Sequence, residues 1–325
     1  MQNLRVVDLA NRRFPDFIIA GAMKCGTTSL HHILASHPKI FIPKGEIHFY
    51  DIDDFIQHPD FFFFAKDRWY YPHFDEQLKT YLDWYERFFK PAENDKLIGE
   101  DSTTYIASEK AAERISKLNP RAKIIIMLRD PATRTYSHYW HLVRTGRAMW
   151  DFERCLQTMP ETLIQRSLYR KQIELFLRFV PYENVHFILL EEFIHNLRDV
   201  INGVCSFLGV TVGEIDIDRI DAHKNQALLR RNTALQLWFN RTFRLQARKN
   251  YLHHLIEAPT QKEIAGSLLS RLVNGLHNTI NPPRAVKPPR MVASTRKFLN
   301  DYFRRENIGL SKLIGKNTEG YWYRD

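Results

Sequence analysis

The stretch that decides the fold is DFIIAGAMKCGTTSLHHIL, residues 16–34. Its first six residues are a short apolar run closed by Gly21, the pattern of a strand buried on both faces. From Thr27 the apolar residues Leu30, Ile33 and Leu34 fall at helical spacing, and Pro38 closes the helix. Between strand and helix lies a loop bounded by Gly21 and Gly26. Backbone N–H groups at such a helix start, with the positive end of the helix dipole, form a cradle for an anion. A Walker A loop reads G-x-x-x-x-G-K-[ST]. Gly21 and Gly26 keep that spacing, but Thr27 and Thr28 follow them, and the lysine is displaced into the loop as Lys24. That makes a smaller site, suited to a single 5′-phosphate and its immediate neighbour. The alternative is a tight strand-to-helix turn carrying an incidental lysine.

Outward from this loop, apolar runs alternate with helical patterns. KLIGE (96–100) reads as a second strand, 108–118 as a helix, and AKIIIMLRD (122–130) as the strongest buried strand in the chain. TRTYSHYWHLV (133–143) reads as a helix, and 167–180 as another with Tyr169, Ile173, Phe176, Leu177 and Val180 on one face. VHFILLE (185–191) is the last clear strand, VCSFLGV closes a further helix, and a final helix lies near 292–305 after the basic loop NPPRAVKPPR (281–290). This is the alternation of an α/β protein, a doubly wound central parallel sheet flanked by helices, with ligands at the carboxyl ends of the strands. No segment reads as a linker. One domain is expected over 1–325, with a core at about 14–210 and a helical and loop part at about 211–325.

The 325 residues carry 47 Lys and Arg against 37 Asp and Glu, a formal charge of +10, and are 44% hydrophobic, which excludes a largely disordered chain. No apolar run approaches the roughly 18 residues of a membrane span. The opening MQNLRVVDLANRRFPDF lacks the features of a secretory signal. Cys25, Cys155 and Cys205 are odd in number and far apart, which excludes a fully paired disulfide framework and suits a reducing compartment. With Met1 in place and no anchor remnant, a bacterial cytoplasmic location is expected. The fourteen histidines show no metal spacing, and neither a metal nor a nucleic-acid partner is expected. The basic excess points to an anionic ligand.

A second anion site reads from IIIMLRDPATRTYSHYW. Arg129 ends the strand, Pro131 opens the next segment, and Ser137 lies in the first turns of the helix. A guanidinium and a hydroxyl so placed are candidates to hold a phosphate; the alternative is a surface arginine and a helix serine, which the first loop on an adjacent strand end disfavours.

AMKCGTTSL, KGEIHFY (44–50) and LRDPATRTYSHY together resemble the motifs of sulfotransferases that use 3′-phosphoadenosine 5′-phosphosulfate (PAPS). The similarity is closer to the Golgi-type glycan sulfotransferases, such as the heparan sulfate enzymes and their bacterial relatives, than to the cytosolic small-phenol enzymes. It extends through RSLYRKQIELFLRFVPYENVHFILLEEF, FLGV and GLSKL, covering about 16–210 and, more thinly, the chain from 280 on. The resemblance implies a P-loop NTPase-like sulfotransferase fold, with PAPS as donor, PAP as product and no metal. It implies that Lys24, Cys25, Gly26, Thr27, Thr28 and Ser29 bind the 5′-phosphosulfate end, and that Arg129 and Ser137 bind the 3′-phosphate. Two compact anion sites at two strand ends suit a nucleotide phosphorylated at both positions.

Sulfuryl transfer resembles phosphoryl transfer, with in-line attack, a loose transition state and catalysis by positioning and charge stabilisation. Lys24 suits the bridging oxygen, where negative charge develops. In an extended segment Glu46 and His48 point the same way. In the enzymes that this chain resembles, the matching glutamate is the general base, so Glu46 is placed first and His48 second, as orienter or acceptor contact. Where those enzymes read Glu-Lys-Ser after the second strand, this chain reads GEDSTTY, and Asp101 is left to contact the acceptor or to pair with a cation. Arg230, Arg231 and Arg290 are the candidates to complete the 3′-phosphate site. Tyr169 either approaches the nucleotide or packs in the core.

Residues 55–90 hold fourteen aromatics, and Leu78, Tyr81, Leu82, Tyr85 and Phe89 form a core-facing helical stripe. The less regular FFFFAKDRWYYPHF before it is a candidate lid or acceptor wall. The stretch WFNRTFRLQARKNY (238–251) reads as a basic helix, either a solvated face or a contact for a polyanion or membrane surface. The expected activity is sulfuryl transfer to a hydroxyl or amine of a glycan, lipid or small-molecule acceptor. A nucleotide-dependent kinase, or a non-catalytic binder of nucleotides or polyanions, is the alternative.

Overall fold

A computed structural model describes residues 9, 12–212, 228–243, 248–258, 268–285 and 288–324. Its strands are β1 (Phe17–Gly21), β2 (Ile40–Phe41), β3 (Phe63–Ala65), β4 (Arg68–Tyr70), β5 (Leu97–Asp101), β6 (Lys123–Leu128), β7 (Val185–Leu189), β8 (Leu228–Arg230) and β9 (Pro283–Ala285). The helices run α1 (Thr27–Ala35), α2 (Leu78–Glu86), α3 (Glu109–Leu118), α4 (Pro131–Arg144), α5 (Phe152–Thr158), α6 (Pro160–Leu163) and α7 (Tyr169–Phe176). They continue as α8 (Leu190–His195), α9 (Leu197–Leu208), α10 (Thr233–Phe243), α11 (Leu268–Ile280), α12 (Ala293–Glu306) and α13 (Leu310–Ile314).

Five strands form a parallel sheet in the order β2–β5–β1–β6–β7. Every residue of β1 is buried, and so is every residue of β6 after Lys123. That is why both read as unbroken apolar runs. Burying a side chain such as Ile18 or Ile125 stabilises the fold by about 1.5–3 kcal/mol. The winding reverses at β1, with β5 and β2 on one side and β6 and β7 on the other, so the crevice for a ligand opens beyond its carboxyl end. The segments after β1, β5 and β6 converge there.

Local chemistry moves several boundaries. Helix α4 starts at Pro131 rather than 133, because Asp130 accepts the Thr133 N–H at 2.8 Å and proline suits the first helical position. Helix α7 ends at Phe176, although Val180 beyond it is still buried. The tail 281–290 is not all loop, since β9 pairs antiparallel with β8. Its Pro283 is tolerated because a two-stranded ribbon consists of edges. The stretch 238–251 is not one helix: α10 ends at Phe243, and Arg248–His254 is a 3-10 turn. Leu78, Tyr81, Leu82, Tyr85 and Phe89 are all buried, as their spacing implies. FFFFAKDRWYYPHF forms the hairpin β3–β4, whose two-residue loop puts Lys66 and Asp67 at φ 49° and 57°. Phe64 and Trp69 pack together on it with more than half their surface exposed. No helix among the described residues is long and apolar enough to cross a membrane.

Candidate active site

The loop after β1 wraps tightly onto its neighbours. Gly26 has φ 92° and caps α1, and a Cβ there would meet Leu190 Cδ1 at 2.6 Å. Without a side chain it cannot cap the helix internally, so the first N–H groups of α1 remain for a ligand. Lys24 is held at φ 69°, half-buried at the loop crest. Cys25 turns the other way: it is fully buried, its N–H goes to Ala22 O at 3.2 Å and its thiol lies 3.6 Å from the Tyr169 hydroxyl. Burial pushes that thiol up to about 11. The Cys25 side chain therefore packs in the floor beneath the loop, whereas its place in the expected binding set called for it to face the crevice.

Tyr169 is fully buried as well, and its hydroxyl donates to Arg129 O at 3.0 Å. It ties the first loop to the end of β6 from below and does not line the crevice. Tyr169→Phe is expected to lower stability by about 0.5–1.5 kcal/mol. Chemical denaturation reads this directly, and an unmoved midpoint would show that the hydroxyl bears no such load.

At the end of β6, Arg129 Nη1 donates to Lys24 O at 3.4 Å, so the two expected anion sites adjoin. Asp130 behind it accepts the Tyr323 N–H at 3.0 Å and pairs with Arg296 at 3.0 Å. Glu191 accepts both the Asp130 N–H and the Trp322 indole N–H, each at 2.9 Å. Ser137 is half-buried on the next turns of α4. The neighbouring Tyr136 hydroxyl donates to Pro289 O at 3.0 Å, which brings the loop bearing exposed Arg290 alongside. Arg230 is placed differently: it donates to Asn278 Oδ1 and Asn281 O at 2.6 and 3.0 Å. It lines a cavity of about 170 Å³ with Trp140, Arg144 and Gln236, farther along α4. Arg231 is exposed beside it.

The crevice is electropositive. Burial, and then Arg144, lower Lys24 to about 8, with Arg129 and Arg134 adding to this and Glu46 opposing it. His141 is lowered to about 3 by burial and by the Lys24, Arg144 and Arg147 charges. Arg134 is fully buried and donates to Ser167 Oγ and Leu163 O, with no carboxylate partner among the described residues. His141 and Arg144 follow Ser137 by one and two turns on one helix face, a spacing that points them out in the sequence.

Facing these cations from the β5 side is Glu46. The segment 44–50 is not extended: Gly45 and His48 have φ 84° and 56°. That turn brings His48 Nε2 back to 3.1 Å from Glu46 Oε2. Thr103 donates to Glu46 Oε1 at 2.7 Å. The Glu46 side chain keeps 37% of its surface exposed against 8% for His48, so the carboxylate is the more accessible of the two groups. Burial raises the Glu46 carboxyl, but the His48 hydrogen bond and charge and the Thr103 hydrogen bond outweigh it, and the net direction is down. His48 Nδ1 lies 3.1 Å from Thr104 Oγ1, which is 3.2 Å from His58 Nε2, itself 2.9 Å from Asp51. His48, Asp51 and His58 thus gather in space without any sequence spacing that marks them. Their separations, bridged by Thr104, are those of a hydrogen-bonded chain. Asp101 pairs with His31 Nδ1 at 3.3 Å, both nearly buried, while His32 points to solvent. Burial, with Glu46 nearby, pushes Asp101 up.

Thr103, His141, Arg144 and the buried Arg134 were not among the expected site residues. The chain matches the family described as the sulfotransferase domain over residues 14–249. It is 25% identical over 319 residues to human bifunctional heparan sulfate N-deacetylase/N-sulfotransferase 2, covering 94% of this chain and 30% of that protein. It is 26% identical over 196 residues to human heparan sulfate glucosamine 3-O-sulfotransferase 5, covering 57% of this chain and 50% of that one. The chain thus spans between about a third and a half of these relatives. Among solved structures it superposes on a sulfotransferase from Alicyclobacillus acidocaldarius with TM-score 0.61 and 25% identity, covering 96% of this chain and all of that one. With its parallel sheet, its loop after β1 and its match over residues 14–249, the chain belongs to the sulfotransferase domain family.

Proposed function

We propose that the chain transfers the sulfuryl group of PAPS to a hydroxyl or amine on a glycan, lipid or small-molecule acceptor. One observation carries this reading: a cationic anion cradle and a reachable carboxylate, Glu46, face each other where the strand order reverses. The donor fits the residues present. The start of α1 and Lys24 take its 5′ end, while Arg129 and Ser137, completed by Arg290 beside Tyr136, take its 3′-phosphate. Lys24 stabilises charge developing on the bridging oxygen. Glu46, held by Thr103 and His48, receives the acceptor's proton.

The test is incubation with radiolabelled PAPS and a panel of glucosamine oligosaccharides, p-nitrophenyl glycosides and long-chain alcohols, without magnesium. Label is expected on an acceptor in metal-free buffer. PAP at a hundred times its Kd is expected to stabilise the fold by about 2.7 kcal/mol. Absence of PAP binding in calorimetry would overturn the reading, and strict magnesium dependence with ATP would replace it with a kinase.

A further inference from the structure

Strand β5 ends in two carboxylates on opposite faces of the sheet. Asp101 turns toward α1 and His31. Glu100 turns into an aromatic layer and has no exposed surface. Its Oε2 accepts from the Tyr85 hydroxyl of α2, and its Oε1 accepts from the Tyr105 and Ser102 hydroxyls at 2.5 and 2.7 Å. No lysine or arginine pairs with it among the described residues.

The hydroxyls have second partners. Ser102 Oγ accepts the N–H groups of Ile47 and His48 at 3.2 and 2.9 Å. Tyr105 Oη accepts the N–H of Tyr50 at 3.3 Å. A hydroxyl has one proton to donate. With that proton committed to Glu100, each oxygen presents its lone pairs to the backbone of 47–50. Left-handed backbone at a residue other than glycine persists only where its surroundings enforce it. His48 is such a residue, and its turn brings Nε2 to Glu46.

We propose that Glu100 is a positioning residue for the transfer reaction, holding the segment that carries Glu46 and His48 through the Ser102 and Tyr105 hydroxyls. This rests on Glu46 acting as the base. Glu100 touches neither donor nor acceptor. Burial pushes it up to about 7, opposed by the hydrogen bonds from Tyr105, Tyr85 and Ser102 and by the His48 charge. The phenols facing it, Tyr50, Tyr85 and Tyr105, are all raised and stay neutral through this range. As pH falls below about 7 the carboxylate is neutralised, the charge-assisted hydrogen bonds that it accepts from Ser102 and Tyr105 weaken, and the hold on 47–50 slackens.

The test compares Glu100→Gln, Ser102→Ala and Tyr105→Phe with the parent chain, using radiolabelled PAPS and the best acceptor of the panel. Glu100→Gln is expected to lower kcat by about 10–100-fold, the scale of a small misplacement of a reacting group. Its PAP affinity and KM for PAPS stay within about twofold, and the fall of kcat below about pH 7 flattens. Glu100→Gln combined with Ser102→Ala is expected to be no worse than the weaker single variant, because both break one path. Parent-like kcat in Glu100→Gln overturns the proposal, as do additive losses or PAP affinity falling in step with kcat. If Glu100→Gln does not fold, Ser102→Ala and Tyr105→Phe decide: reduced kcat with intact PAP affinity supports the proposal, and full turnover overturns it. A parent chain that binds PAP but labels no acceptor fails at the earlier step and removes the reading on which this one rests.

Discussion

Glu46→Gln is expected to lower kcat by about 10²–10⁴-fold while PAP affinity stays within about twofold. Glutamine keeps the volume of the side chain and still accepts the Thr103 hydrogen bond, so the segment is not disturbed. What is lost is the acceptor for the proton. The His48 and Thr103 contacts that hold Glu46 below the usual carboxylate range keep it ionised at neutral pH. They also make it a weak base, which suits a reaction whose loose transition state builds little charge on the attacking atom before the sulfuryl group has moved. Measured turnover equal to the parent would refute the assignment of Glu46. Retained PAP binding with no detectable turnover would confirm that the carboxylate serves the chemistry and not the fold.

Lys24→Ala is expected to lower kcat by about 10²–10³-fold and also to raise the KM for PAPS, since on the proposed function one ammonium both holds the donor and stabilises its departure. The pH dependence has a definite sign. Lys24 is held at about 8 in the free protein, well below its ordinary value, by burial and by Arg144. Through the range between those two values the unfolded chain binds the proton that the native chain has released, so this residue makes stability rise with pH. Below about 8 the native protein carries a crowded, partly desolvated ammonium that a bound phosphate relieves. The thermal shift produced by PAP is therefore expected to be largest below pH 8 and to shrink above it, and kcat/KM is expected to fall as Lys24 deprotonates. A PAP shift that grows from pH 7 to pH 9.5 would remove Lys24 from the donor site.

The sheet was legible in the sequence because β1, β5 and β6 are short strands covered on both faces. Burial on both faces leaves an apolar run that few other structures produce. The loop between Gly21 and Gly26 was legible because close backbone approach leaves glycines at fixed spacing. Apolar periodicity alone puts the start of α4 at 133, whereas Asp130 and Pro131, both of which mark a helix entry, set it at 131. The acceptor side was far less visible. The turn at Gly45 and His48 depends on Ser102, 54 residues beyond His48 in the chain, and nothing local to 44–50 announces it. Glu100 sits in a strand whose pattern looks ordinary, and only its three hydroxyl donors distinguish it. Cys25 shows the limit of reading a motif position as a side-chain contact, since its side chain packs beneath the loop. For Tyr169, where spacing leaves contact and core both open, the side chain packs in the core.

The anchoring of Asp130 by Tyr323 and of Glu191 by Trp322 has a consequence for biosynthesis. A nascent chain folds from its N-terminal end as it emerges, at about 5–20 residues per second. The loop bearing Lys24 leaves the ribosome well before Trp322 and Tyr323, and the corner that supports Arg129 is completed only when those two residues arrive. At those speeds the interval is roughly 15–60 s. For that time the sheet can assemble while the crevice beyond β1 and β6 lacks this brace, so on the proposed function donor binding is expected only once synthesis has passed Tyr323.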